Sequence, residues 1–212
     1  MSTESLCISR CICIHSSLQL VDLTIASICL HHSILPTPIS TIPNPPPHGM
    51  IRTISSFQSV QEELQKVFRS RFRYQIKEVM LVVGQSPFRP LQVYSLPISL
   101  CEGHGSSHVD CGSPCMEMTT NEIRKVNLQL FRSFPPENKG KNSLRMFVYI
   151  RGTDALVGEN LEESEISLDE NKLVSIHYGH KGCSCSKTCE IEDDGSIRWL
   201  RLSPFVVQGK LV

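Results

Sequence analysis

The sequence has no excess of either charge: 21 Lys and Arg balance 21 Asp and Glu. A body that grips nucleic acid usually carries a basic surplus, so the balance argues against that class. Long apolar runs are also lacking. The nearest approach, residues 11–30, is interrupted by His15, Ser16, Ser17, Gln19 and Asp22 and is too polar for a membrane span. A secretory leader is not evident, because Arg10 is the only basic residue ahead of that stretch, Asp22 breaks it, and no Ala-x-Ala-like cleavage site follows. Gly-x-Ser-x-Gly, P-loop and Rossmann glycine fingerprints are missing, so no motif singles out an enzyme or a cofactor. The expectation is an intracellular, non-enzymatic protein without nucleic-acid or membrane partners.

Cysteine, by contrast, is plentiful, with ten residues in three groups. The middle group lies in Cys101-x-x-His104…His108-x-x-Cys111-x-x-x-Cys115, where thiolate and imidazole donors could supply a zinc tetrahedron. A second set, His177, His180, Cys183, Cys185 and Cys189, is similar. Neither spacing matches a ribbon or finger pattern. A zinc-stabilised protein-interaction module therefore stands as the alternative function. No thiol is marked out as a nucleophile, since a Cys/His pair is a spatial arrangement and not a sequential one.

Charge divides the chain. Residues 1–50 carry only Glu4, Arg10 and Asp22 as charged side chains, and prolines crowd positions 36–47. Residues 1–49 are accordingly expected to be a disordered or accessory Pro-rich extension, or a segment that a start at Met50 would omit. The folded domain is expected over residues 50–212. Its first helix is placed at Phe57–Phe72, with Ser59 and Glu62 as a capping box and Val60, Leu64, Val67, Phe68 and Phe72 as its apolar stripe. Ile76–Gly84 is continuously apolar from Val79 to Val83, as in a central strand covered on both faces. A short turn leads to Leu91–Leu100, giving an antiparallel hairpin with Pro97 at an edge or strand end.

Ser143–Arg151 alternates: Leu144, Met146, Val148 and Ile150 face the core, opposite a face of aromatic and basic residues. Thr153–Asn171 reads as an acidic loop without compensating bases. Lys172–Tyr178 is a further strand, and Ser196–Gly209 a last one broken near Pro204.

The most informative stretch is Thr119–Phe134. Thr119 and Glu122 form a capping box, and Pro135–Pro136 end the helix. Ile123, Val126, Asn127, Leu130 and Phe134 recur at core spacing. Leu128 and Phe131 are left over, rotated off that stripe together with Arg124. Two arrangements fit: a helix buried on two sides, or a second face covered by another chain. An apolar pair rimmed by Arg124, Gln129 and Arg132 has the composition of a protein-binding surface.

Four stretches resemble the comet family of HORMA-domain adaptors over about residues 57–212: VQEELQKVF, IKEVMLVVGQSPFRPLQVYSLPISL, the helix ending LQLFRSF, and KLVSIHYG…IRWLRLSPFVVQGKLV. The resemblance implies an α+β, HORMA-like fold, a mostly antiparallel sheet packed on helices. It also implies a non-enzymatic adaptor that binds the closed form of Mad-two or a meiotic HORMA protein. Such an adaptor presents its partner to a AAA+ ATPase and silences the spindle checkpoint, in the nucleus and cytoplasm and at the spindle or kinetochore. Phe131, between Leu130 and Arg132, matches the family's contact phenylalanine; Leu128, Arg124, Leu130 and Arg132 complete the expected partner-binding set. The family's N-terminal helix has no expected counterpart in residues 1–49. Its ATPase-facing loop is basic and aromatic where Thr153–Asn171 is acidic, so no ATPase contact is carried over.

Overall fold

The computed structural model describes residues 2–100, 116–136, 144–156, 161–166, 169–180 and 197–208. Among them are eight strands and three α-helices. The strands are β1 (Ser2–Ile8), β2 (Glu78–Ser86), β3 (Arg89–Pro97), β4 (Arg145–Thr153), β5 (Leu161–Glu163), β6 (Leu173–His180), β7 (Ile197–Leu202) and β8 (Val206–Val207). They make one sheet in the order β1-β6-β3-β2-β4-β7-β5, with β8 also on β4. Most pairings are antiparallel, but β6 runs parallel to both β1 and β3. The helices are α1 (Ile14–His31), α2 (His48–Arg69) and α3 (Thr120–Ser133). The class is α+β, as expected.

Residues 2–35 are not a disordered or accessory extension, and the Pro-rich stretch 36–47 that follows them is mostly loop. β1 forms a sheet edge, and Leu6, Ile8, Ile12, Ile14, Val21, Ile25 and Ile28 belong to the main core. The helical character of 14–31 is hard to read because its apolar residues occupy more than one face and β-branched residues lower its helix propensity. Buried hydroxyls add to the ambiguity, but they are satisfied locally. Ser17 Oγ donates to Cys13 O at 2.9 Å and Thr24 Oγ1 to Leu20 O at 2.7 Å, so both behave as interior residues. The helix stops where Ser33 takes a left-handed φ of 54°, with the amides of Ile34 and Leu35 both donating to Cys29 O. A chain starting at Met50 would lose β1 and α1 and bare the core they cover.

The second helix begins earlier than expected. Pro47 caps α2, and Met50, Thr53, Phe57, Val60, Leu64, Val67 and Phe68 form one buried stripe. Ser59 is therefore mid-helix and not a cap; its hydroxyl donates back to Ser55 O at 3.0 Å. Gly49, a poor helix former, lies in the first turn, and the stripe continues from Met50 at the same three- and four-residue spacing.

The hairpin β2–β3 and the central position of β2 agree with expectation. Val79, Leu81 and Val83 enter the main core beneath the helices, while Met80 and Val82 enter a smaller cluster on the other side. Pro97 ends β3, which is an interior strand and not an edge. Leu144, Met146, Val148 and Ile150 all reach the main core. The opposite face of β4 is not open: Phe147 and Tyr149 are buried, with Trp199, Phe205, Ile166 and Leu173 packed against them. Burial raises the Tyr149 phenol, opposed by Arg201 and Ser164.

Part of the acidic stretch is compensated, against expectation. Glu163 pairs with Arg198 at 2.8 Å and Glu162 with Arg201, because β5 lies antiparallel on β7. Ser203–Phe205, containing Pro204, separates β7 from β8 as expected for a broken last strand.

Candidate protein-docking groove

The helix α3 is held at its start by its own cap and by the N-terminal segment. Glu122 N donates to Thr119 Oγ1 at 3.4 Å, and the Glu122 carboxylate accepts from Thr119 N at 2.7 Å. Arg10 donates to the carbonyls of Met116 and Glu117 at 3.0 and 2.9 Å and lies 3.5 Å from Glu122. Burial alone would raise the Glu122 carboxyl, but the Thr119 bonds and the Arg10 charge outweigh it and hold it below the usual carboxylate range.

In the second half of α3, Gln129 grips the free side of β1. Its Oε1 accepts from Cys7 N at 3.0 Å and its Nε2 donates to Cys7 O at 2.9 Å. The side-chain amide thus replaces a neighbouring strand at that edge residue. Near the C-terminus, Ser133 Oγ donates to Glu4 Oε2 at 3.0 Å. These ties fix the rotation of α3 about its axis.

That rotation sorts the expected site residues. Val126, Leu130 and Phe134 point inward and are buried; Leu130 is 0% exposed. The inclusion of Leu130 in a partner-binding set is therefore corrected: it sits on the core stripe, two residues from Leu128 and on the opposite side. Asn127 was expected in that stripe and is exposed. Leu128 and Phe131 remain 52% and 56% exposed, which excludes the helix buried on two sides. Arg124 and Arg132 are also exposed.

On one face of α3, Thr120, Ile123, Arg124, Asn127, Leu128 and Phe131 follow one another at steps of one, three or four, a single helical stripe. Facing it, α1 contributes Leu23, Ala26, Ser27 and Leu30 at the same kind of spacing, and Leu35, Pro38 and Ile39 also line it. Between them runs an open groove of about 660 Å³. Among the described residues Arg124 is the one ionic side chain lining it; Arg132 is exposed but outside the lining. The one local signal of the α1 wall is the helical spacing of Leu23, Ala26, Ser27 and Leu30.

Asp22, next to Leu23, has its carboxyl raised by burial from 3.8 to about 7, and its Oδ1 has no hydrogen-bond partner among the described residues.

The described residues that line the groove include no nucleophile–base pair and no carboxylate couple. Cys101, His104, His108, Cys111 and Cys115 lie outside the described residues, as do Cys183, Cys185 and Cys189. His177 Nε2 is hydrogen-bonded to Ser175 Oγ at 2.8 Å. Among the described residues no cluster of His, Cys, Asp or Glu has the makings of a metal site, and no helix is long and apolar enough to cross a membrane. No protein-family model matches the chain, and no curated protein matches it.

Proposed function

We propose that this protein is a non-enzymatic adaptor with a HORMA-like fold. It docks the closed form of a HORMA protein, Mad-two or a meiotic axis relative, into the groove between α1 and α3. It then presents that partner to a AAA+ ATPase for remodelling, which silences the spindle checkpoint. The observation that carries this reading is the exposure of Leu128 and Phe131 beside an apolar groove. Large aromatic residues in such a position act as anchors, and an arginine beside them suits a partner-facing rim. The resemblance of the Leu130-Phe131-Arg132 context to the comet family names the partner class, and α1 supplies an N-terminal helix beside α3, which such adaptors use in the same contact.

The reading is tested by titrating purified closed-state HORMA proteins against the full chain. Phe131→Ala is expected to weaken binding by about 2 kcal/mol or more, roughly 30-fold in Kd, with the melting temperature unchanged. Absence of binding by the unmodified chain to every HORMA protein tried, or equal affinity of the variant, would overturn it.

A further inference from the structure

The hairpin between β2 and β3 ends in Ser86-Pro87-Phe88-Arg89, and we propose that Ser86 is a phosphorylation site for a proline-directed Ser/Thr kinase that reads a basic residue three positions on. The chain has four Ser-Pro or Thr-Pro steps, at Thr37, Ser86, Ser113 and Ser203, and the residues three positions later are Ser40, Arg89, Met116 and Val206. Ser86 alone combines the prolyl ring with a guanidinium.

The geometry favours access. Phe88 is 84% exposed, and Gln85 and Arg89 beside it are exposed as well. The tip is weakly laced to the sheet. Register shifts fall on both sides of Gly84, leaving Ser86↔Arg89 as an isolated terminal pair. Pro87 and Pro90 have no N–H to donate, so few hydrogen bonds are lost when the last pair opens and the segment extends into a kinase cleft. Gly84 is needed for this shape, because a Cβ there would stand 2.6 Å from Arg89 O. The other described steps are less suited: Thr41 Oγ1 and Thr41 N bond back to Pro38 O and tie down the chain after Thr37, and Ser203 Oγ donates to Glu162 at 3.4 Å.

The co-substrate is ATP. The Ser86 Oγ–P bond forms as the bond between the γ-phosphorus and the β–γ bridging oxygen breaks; ADP leaves, and the hydroxyl proton passes to the kinase base. The product is a dianion across the turn from Arg89, which can hold it through a charge-assisted pair. This site is independent of the docking groove, so its failure leaves that proposal untouched.

The test incubates the native full chain with ATP and a purified proline-directed kinase and locates phosphate by tandem mass spectrometry. Near-stoichiometric phosphate is expected on Ser86, none there in Ser86→Ala, little in Pro87→Ala, and a rate lowered about tenfold in Arg89→Ala, the loss of one charge-assisted contact. Phosphate on Thr37, Ser113 or Ser203 at rates equal to Ser86 would overturn the proposal. So would a Ser86 that accepts phosphate only after the chain has been denatured.

Discussion

Phe147 and Tyr149 on one side of the sheet, and Leu128 and Phe131 on the helical side, are two pairs of large apolar residues set off from the main core. Their fates are opposite. The first pair is covered from within, by Trp199, Phe205, Ile166 and Leu173, and Arg145 lies 5.4 Å from the Phe205 ring centroid. The second pair flanks a groove and stays more than half exposed. Residue type does not separate them, since both stand beside arginines on amphipathic elements. What separates them is whether another part of the same chain returns across the face. The segment after β7 continues along β4 to pair β8 with it and brings Phe205 over Phe147, at a ring separation of 5.1 Å. No described segment returns over α3. An apolar face that its own chain leaves open is where a partner is expected.

The contrast can be broken most forcefully at the covered Phe147 and at Leu130, on the buried side of α3. Phe147→Ala and Leu130→Ala should each destabilise the fold by about 2–5 kcal/mol, read from urea unfolding midpoints, because each empties a packed site. Phe131→Ala, in contrast, should move stability by no more than about 0.5 kcal/mol, as for an exposed side chain. Equal losses at Phe131 and Phe147 would erase the distinction.

A second test concerns the α1 wall. The Asp22 carboxyl keeps its proton in the folded chain up to about 7, whereas the unfolded chain releases it near 3.8. Its favourable contribution is thus complete below about 3.8 and is lost as the pH rises through about 7. Asp22→Asn should flatten the fall in melting temperature over that window and be the more stable form above it. Parallel pH profiles for the two proteins would refute the burial of this group.

Smaller effects are expected at the ties that orient α3. Gln129→Ala removes both bonds to the Cys7 backbone and should cost about 1–2 kcal/mol, with faster amide exchange at Cys7. Thr119→Ala should cost about 1 kcal/mol through loss of the cap. If Gln129→Ala also weakened partner binding, the rotation of α3 would be shown to matter for the groove.

Legibility followed the strength of local signals. The α3 cap, the hairpin β2–β3, the alternation of β4 and the break at Pro204 were readable because each depends on neighbours within a few residues. The covering of Phe147 and Tyr149 was not, since it depends on residues far along the chain. Nor was the pairing of Glu162 and Glu163 with Arg201 and Arg198, which arises only when β5 lies against β7. The extra turns of α2 were missed for a different reason: a plausible cap at Ser59 hid a stripe that had already begun at Met50.

By itself, the sequence determined that Leu128 and Phe131 share a face with Arg124 and that this face is not the one carrying Val126 and Leu130, because helical periodicity fixes angles within one element. Only the tertiary structure decided that the face is open, that α1 stands across from it, and that residues between Leu6 and Leu35 help build the core. Those outcomes depend on which distant segments meet, and burial is a property of the meeting and not of either segment alone.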